Sequence, residues 1–154
     1  MTPPRRSIAL RGPARLEFLP SLLDAVSELC DAADADPAMR HDLRLAVEEA
    51  CVNVIRHAYS EDDPGEIALD VELSAWEGRP AIRVDIHDRG RPFDPLRLAT
   101  PQAGTDDVQA LPLGGLGVHL MRQVTDAQTY SHAKATGNHL TLVKFLATRK
   151  GETA

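Results

Sequence analysis

Apolar residues recur at helical spacing through LEFLPSLLDAVSELCDAA, residues 16–33, and again from about Asp36 to Tyr59, whereas they alternate with polar residues in EIALDVELSAW and PAIRVDIHD. The first period predicts helices with one buried stripe, and the second predicts strands with one buried face. Pro20 fits the first helix only in its first turn. Asp36 suits the N-cap of the second helix, with Pro37 as its first residue, and SEDDPGE supplies the turn chemistry that ends it. Residues 7–11 read as a short strand. The two alternating segments meet at Glu77-Gly78, which predicts an antiparallel hairpin. A glycine-led amphipathic helix over LGGLGVHLMRQV follows, then strands near 127–134 and 138–147. The order is β-α-α-β-β-loop-α-β-β. It predicts an α+β two-layer sandwich, with helices on one face of a mixed, mostly antiparallel sheet.

Between the hairpin and the glycine-led helix, residues 94–113 carry Pro95, Pro101, Pro112 and Gly104 without clear periodicity. A loop of that length inside a compact domain is usually a lid or a disordered segment. No repeat or low-complexity tract interrupts the chain, so the expectation is a single domain over 1–154 with its core at about 7–148.

Composition narrows the function classes. The 17 Lys and Arg against 23 Asp and Glu give a formal net charge of −6, which argues against a nucleic-acid binder. No window reaches membrane-spanning length and the N-terminus lacks a signal-peptide apolar run, so a cytoplasmic location is expected. Cys30 and Cys51 fall among apolar neighbours on predicted helices and read as buried free thiols.

Three stretches carry candidate chemistry. On the second helix, Leu43, Val47, Ala50, Cys51, Val54 and Ala58 form the apolar face, and Glu49, Asn53 and His57 step along its border as one polar ridge. Alone, that ridge reads as a solvated surface. HDRGRPFDP ends the third strand with Asp88 and, two residues on, Gly90; alone it reads as a simple turn. Gly114, Gly115 and Gly117 open a helix whose unpaired N–H groups would suit an anion. A dinucleotide-binding fingerprint is excluded, because Leu120 occupies the place of its third glycine.

In this order, Glu-x3-Asn on a helix, Asp-x-Gly after a strand, a lid and Gly-x-Gly opening a helix resemble the GHKL ATP-binding superfamily (the Bergerat fold). RLAVEEACVNVIRHAY, DRGRPFDP and GGLGVHLMRQVTD are similar to the RsbW and SpoIIAB type of anti-sigma factor serine kinases. The resemblance implies that Glu49 polarises the attacking group, and that Asn53 holds a Mg2+ bridging the ATP phosphates. Asp88 would accept from the adenine amino group with Gly90 beside the base, and Gly115 and Gly117 would turn N–H groups to the phosphates. His57, Gly114, Leu116 and Val118 complete the implied ATP contacts, with 94–113 as the ATP lid. The implied cofactors are ATP and Mg2+. The implied partners are a STAS-domain anti-sigma factor antagonist and a sigma factor, with no direct nucleic acid and no membrane; homodimerisation stays open. The competing reading is an ATP-gated partner-switching module with little or no kinase activity, against which the presence of Glu49 argues. Two departures stand out. Leu113-Gly114 replaces an arginine that some relatives place near the γ-phosphate, and Gly137-Asn138 replaces a common Gly-Thr beside the adenine site. Glu48 points about 100° away from the ridge and is expected to serve the surface or a partner.

Overall fold

The computed structural model describes residues 6–97 and 115–147. In chain order it contains β1 (Ser7–Pro13), α1 (Leu19–Ala32), α2 (Pro37–Asn53), β2 (Glu66–Trp76), β3 (Arg79–Asp88), α3 (Gly115–Val124), β4 (Ala127–Ala133) and β5 (Gly137–Phe145). Short 3-10 turns sit at Leu16–Phe18 and Pro95–Arg97. The first of these takes up the start of the segment expected to be helical from Leu16, so Pro20 falls in the first turn of α1. Asp36 caps α2 as expected, its Oδ1 accepting from the Met39 N–H at 2.8 Å.

The strands form one sheet in the order β1-β2-β3-β5-β4, and every neighbouring pair is antiparallel. A mixed sheet was expected. β3 and β4 do run in the same direction, but β5 lies between them, so no parallel pair forms among the described residues. At the β2–β3 turn, Glu77 and Gly78 take φ of 50° and 77°, the doubly left-handed turn whose twist matches a two-residue hairpin.

Alternation sends one side chain in two from each central strand toward the helices. Ile67 and Leu69 of β2, Val84 of β3 and Leu142 of β5 are fully buried there, against Leu43 of α2 and Met121 of α3. Each side chain of this size stabilises the fold by about 1.5–3 kcal/mol relative to leaving it exposed. Lys144 of β5 ties two helices to the sheet. Its Nζ donates to the Val124 carbonyl that ends α3 at 2.8 Å and to Asp42 of α2 at 3.3 Å. Cys30 and Cys51 are free and buried, and burial pushes the Cys51 thiol up to about 12.

The opposite face of the sheet is polar. Asp85 on β3 is 8% exposed and accepts from Arg83 Nε at 2.9 Å, Thr141 Oγ1 at 2.7 Å and His139 Nε2 at 2.6 Å. The rings of His139 and His87 stack with centroids 4.2 Å apart. Burial by itself would raise the Asp85 carboxyl, but the hydrogen bonds from Arg83, Thr141 and His139 outweigh it and hold the group below its usual range. Burial, and then the facing His139, lowers His87. Both groups are therefore more acidic in the folded than in the unfolded chain. Their stabilisation is complete above the unfolded values, about 6.5 for histidine and about 3.9 for aspartate. It is lost as pH falls through the folded ones. Urea midpoints are expected to decline on acidification in two stages, and His87→Gln should remove the first stage while leaving the second. A single decline unaffected by that substitution would contradict this account.

Candidate functional site

α2 does not end at Asn53 but continues into one wide π-helical turn, Val54–Ala58. Nothing in VIRHA forbids a regular helix, so the wide turn is imposed by what packs on it. The segment leaving β3 docks there. The Arg91 N–H donates to the Ala58 carbonyl at 2.9 Å, and the Arg91 guanidinium donates to the His57 carbonyl at 3.0 Å. Helix-end carbonyls that would otherwise lack partners are satisfied in this way. A Cβ on Gly90 would collide with the Ala58 carbonyl and Cβ, so only glycine lets the two backbones meet. On the other side, the Tyr59 hydroxyl accepts from the Arg89 N–H at 2.7 Å and donates to the Glu66 carbonyl at 2.8 Å.

Docking creates a narrow cleft between α2 and the strands β3, β4 and β5. Its walls are apolar at Val54, Ile86, Met121 and Leu140, with polar groups from Asn53, His57, Asp88, Arg91, Tyr130 and Asn138. An apolar slot with a few convergent polar groups is the usual form of a small-molecule site. Asp88 is 8% exposed at its inner end. Its Oδ1 accepts from the Gly90 N–H at 2.9 Å and from Asn138 Nδ2 at 2.8 Å.

At the other end, the Nδ2 of Asn53 is buried without a hydrogen-bond partner among the described residues. Amide nitrogen and oxygen can exchange places, so a donor or an acceptor awaits a partner here. One turn earlier, the Glu49 carboxylate occupies the space that a Cβ on Gly117 would need. The acid thus reaches the first turn of α3, which begins at Gly115. Glu48 is exposed, as helical phase requires.

The ridge residues and Asp88–Gly90 are therefore brought to one region, with Gly117 against Glu49. Leu116 is the second residue of α3. Val118 is 2% exposed and packs in the core, so only its backbone is available to a ligand. Gly114 and 98–113, most of the expected lid, lie outside the described residues. Tyr130, Arg91 and Met121 were not singled out from sequence. Alternation in AQTYSHA does put Gln128, Tyr130 and His132 on one face, the only signal that could have flagged the tyrosine.

Residues 12–144 match the histidine kinase-like ATPase domain family. The chain belongs to that family. Two relatives of this chain are the serine-protein kinase RsbW of Bacillus licheniformis, 30% identical over 77% of this chain and 74% of that one, and of Listeria monocytogenes serotype 4a (strain HCC23), 31% identical over 77% and 75%. A third, RsbW of Bacillus subtilis (strain 168), is 29% identical over 84% of this chain and 81% of its own. The chain also shares its fold with a crystal structure of the RsbU and RsbW domains of a Mycobacterium tuberculosis protein. The TM-score is 0.64 at 18% identity, over 92% of this chain and 32% of that one. Among the described residues, no helix is long and apolar enough to cross a membrane.

Proposed function

We propose that this ATPase is a serine-protein kinase and anti-sigma factor of the RsbW type. It transfers the γ-phosphate of ATP to a serine on a small STAS-domain antagonist, and its other partner is a sigma factor. Residues 1–154 act as one domain in this reading. The observation that carries the proposal is the Glu49 carboxylate lying against Gly117 at the start of α3. The N-terminus of a helix attracts phosphate, and a carboxylate placed there opposes an anion. That placement is unfavourable for binding alone and makes sense when the acid orients a hydroxyl for attack on the bound phosphate.

The adenine ring fits the apolar cleft, with its amino group donating to Asp88, and the triphosphate runs past Asn53 toward the N–H groups of Gly115 and Gly117. The orphaned amide of Asn53, turned to present its hard oxygen, fits a Mg2+ ion and would hold it. When bound, that ion supplies charge neutralisation to the phosphates. Glu49 accepts a hydrogen bond from the serine hydroxyl and aims its oxygen at the γ-phosphorus. The new O–P bond forms as the bond to the β-phosphate oxygen breaks. ADP departs with that electron pair, and the hydroxyl proton passes to Glu49. Because the transition state of phosphoryl transfer is loose, positioning contributes more than proton removal.

The direct test combines the protein, Mg-ATP and a STAS-domain antagonist, followed by intact-mass and peptide analysis of the antagonist. One phosphoryl group on a serine, with ADP formed in equal amount, is the expected result. An ATP-dependent complex without any phosphorylation would replace the kinase reading by that of an ATP-gated binding module.

A further inference from the structure

The chain has only two tyrosines, and both hold the segment that leaves β3. Tyr59 holds its start through Arg89, and Tyr130 holds its end. The Tyr130 hydroxyl accepts from the Phe93 N–H at 3.2 Å and donates to Asn138 Oδ1 at 2.5 Å. The same Oδ1 faces His132 Nδ1 at 3.0 Å, so that nitrogen carries the proton. On its other side, Asn138 Nδ2 donates to Asp88 Oδ1 at 2.8 Å and to the carbonyls of Gly90 and Arg91, both at 3.2 Å. Every hydrogen-bonding group of this amide is engaged. Turning it over would set its oxygen against three acceptors and its NH2 against the His132 donor and the Tyr130 hydroxyl. The donor from Tyr130 therefore helps decide which way the amide faces.

We propose that Tyr130 is a positioning residue for nucleotide selection, its hydroxyl fixing the Asn138 amide so that Asp88 holds one carboxylate oxygen inward and presents the other to the base. This rests on the ATP reading above and extends it to a residue on the edge strand that touches the carboxylate only through Asn138. The same hydroxyl anchors Phe93, immediately before the stretch 94–113. The orientation of the base-reading group and the root of that stretch are thus set by one O–H group. Without it, His132 is the remaining donor to Oδ1, and it is exposed. The amide would gain freedom to swing, and the carboxylate would lose its fixed aim.

The test compares ATP with inosine triphosphate, which carries a carbonyl in place of the adenine amino group. Affinities are measured by calorimetry for the wild type, Tyr130→Phe, Asn138→Ala and the double variant. Phenylalanine keeps the ring, so packing on β4 is retained; thermal midpoints check this. The wild type should prefer ATP, and Tyr130→Phe should lower that preference about tenfold, mainly by weakening ATP. The double variant should be no less selective than Asn138→Ala, because a residue acting through another adds nothing once the other is gone. An unchanged preference in Tyr130→Phe, equal weakening of both nucleotides, or additive losses in the double variant would each overturn the proposal. A wild type that binds both nucleotides equally, or neither, would instead overturn the adenine reading from which it starts.

Discussion

Glu49→Ala is expected to slow phosphoryl transfer by roughly 10²–10⁴, the range for a positioned acid–base group, while ATP binds as tightly as before or slightly more so. The two halves of this expectation share one cause. The carboxylate sits against Gly117 in the first turn of α3, so in the proposed reaction its charge would repel a bound phosphate while its oxygen would orient the acceptor. Removing it relieves the repulsion and abolishes the orientation. Single-turnover transfer to the antagonist, measured beside ATP titrations, separates the effects. Transfer at the wild-type rate would make Glu49 a structural residue. Loss of ATP binding in parallel with transfer would mean that the side chain supports the start of α3 rather than the reaction.

Asp88→Asn is expected to weaken ATP by about 10²-fold, the scale of a charged hydrogen bond lost with an unmatched donor left behind. The substitution is a clean one. The amide would keep an Oδ1 to accept from the Gly90 N–H and from Asn138 Nδ2, as Asp88 does now at 2.9 and 2.8 Å. The second carboxylate oxygen becomes an NH2 that confronts the adenine amino group, donor against donor. A carbonyl at that position of the base would instead be welcome. The wild type should therefore discriminate strongly against GTP, and the variant should lose much of that discrimination. Titration of both nucleotides into both proteins checks this, and equal wild-type affinity for ATP and GTP would remove Asp88 from base recognition.

Local chemistry made part of this molecule legible in its sequence. Asp36-Pro37 marked the start of α2 because a cap and a restricted φ act within one turn. Glu77-Gly78 marked the hairpin because only a few residue types accept two positive φ values in succession. The spacing of Glu49, Asn53 and His57 predicted one ridge, and of these Asn53 and His57 both line the cleft. Strand order was not legible. The insertion of β5 between β3 and β4 depends on pairings such as His87 with His139, which link distant residues and leave no local trace. The role of Tyr130 was hidden for a similar reason. Its partners Phe93 and Asn138 come from two other segments, and a lone tyrosine in a largely exposed edge strand has no motif. Asn138 was visible only as a departure from a common Gly-Thr, without its ties to Asp88, Gly90 and Arg91.

The wide turn at Val54–Ala58 amounts to one residue inserted into a helix. Removing one of Val54, Ile55, Arg56 or His57 would let the helix close into a regular turn, with the residues beyond nearly in phase, because the wide turn holds one extra residue over about the same arc. What would be lost is the widened backbone on which the Ala58 carbonyl meets the Arg91 N–H and Gly90. Exchange of the outward-facing Arg56, by contrast, disturbs none of these contacts. Over this stretch the number of residues, more than the identity of their side chains, is what evolution or an engineer must leave alone.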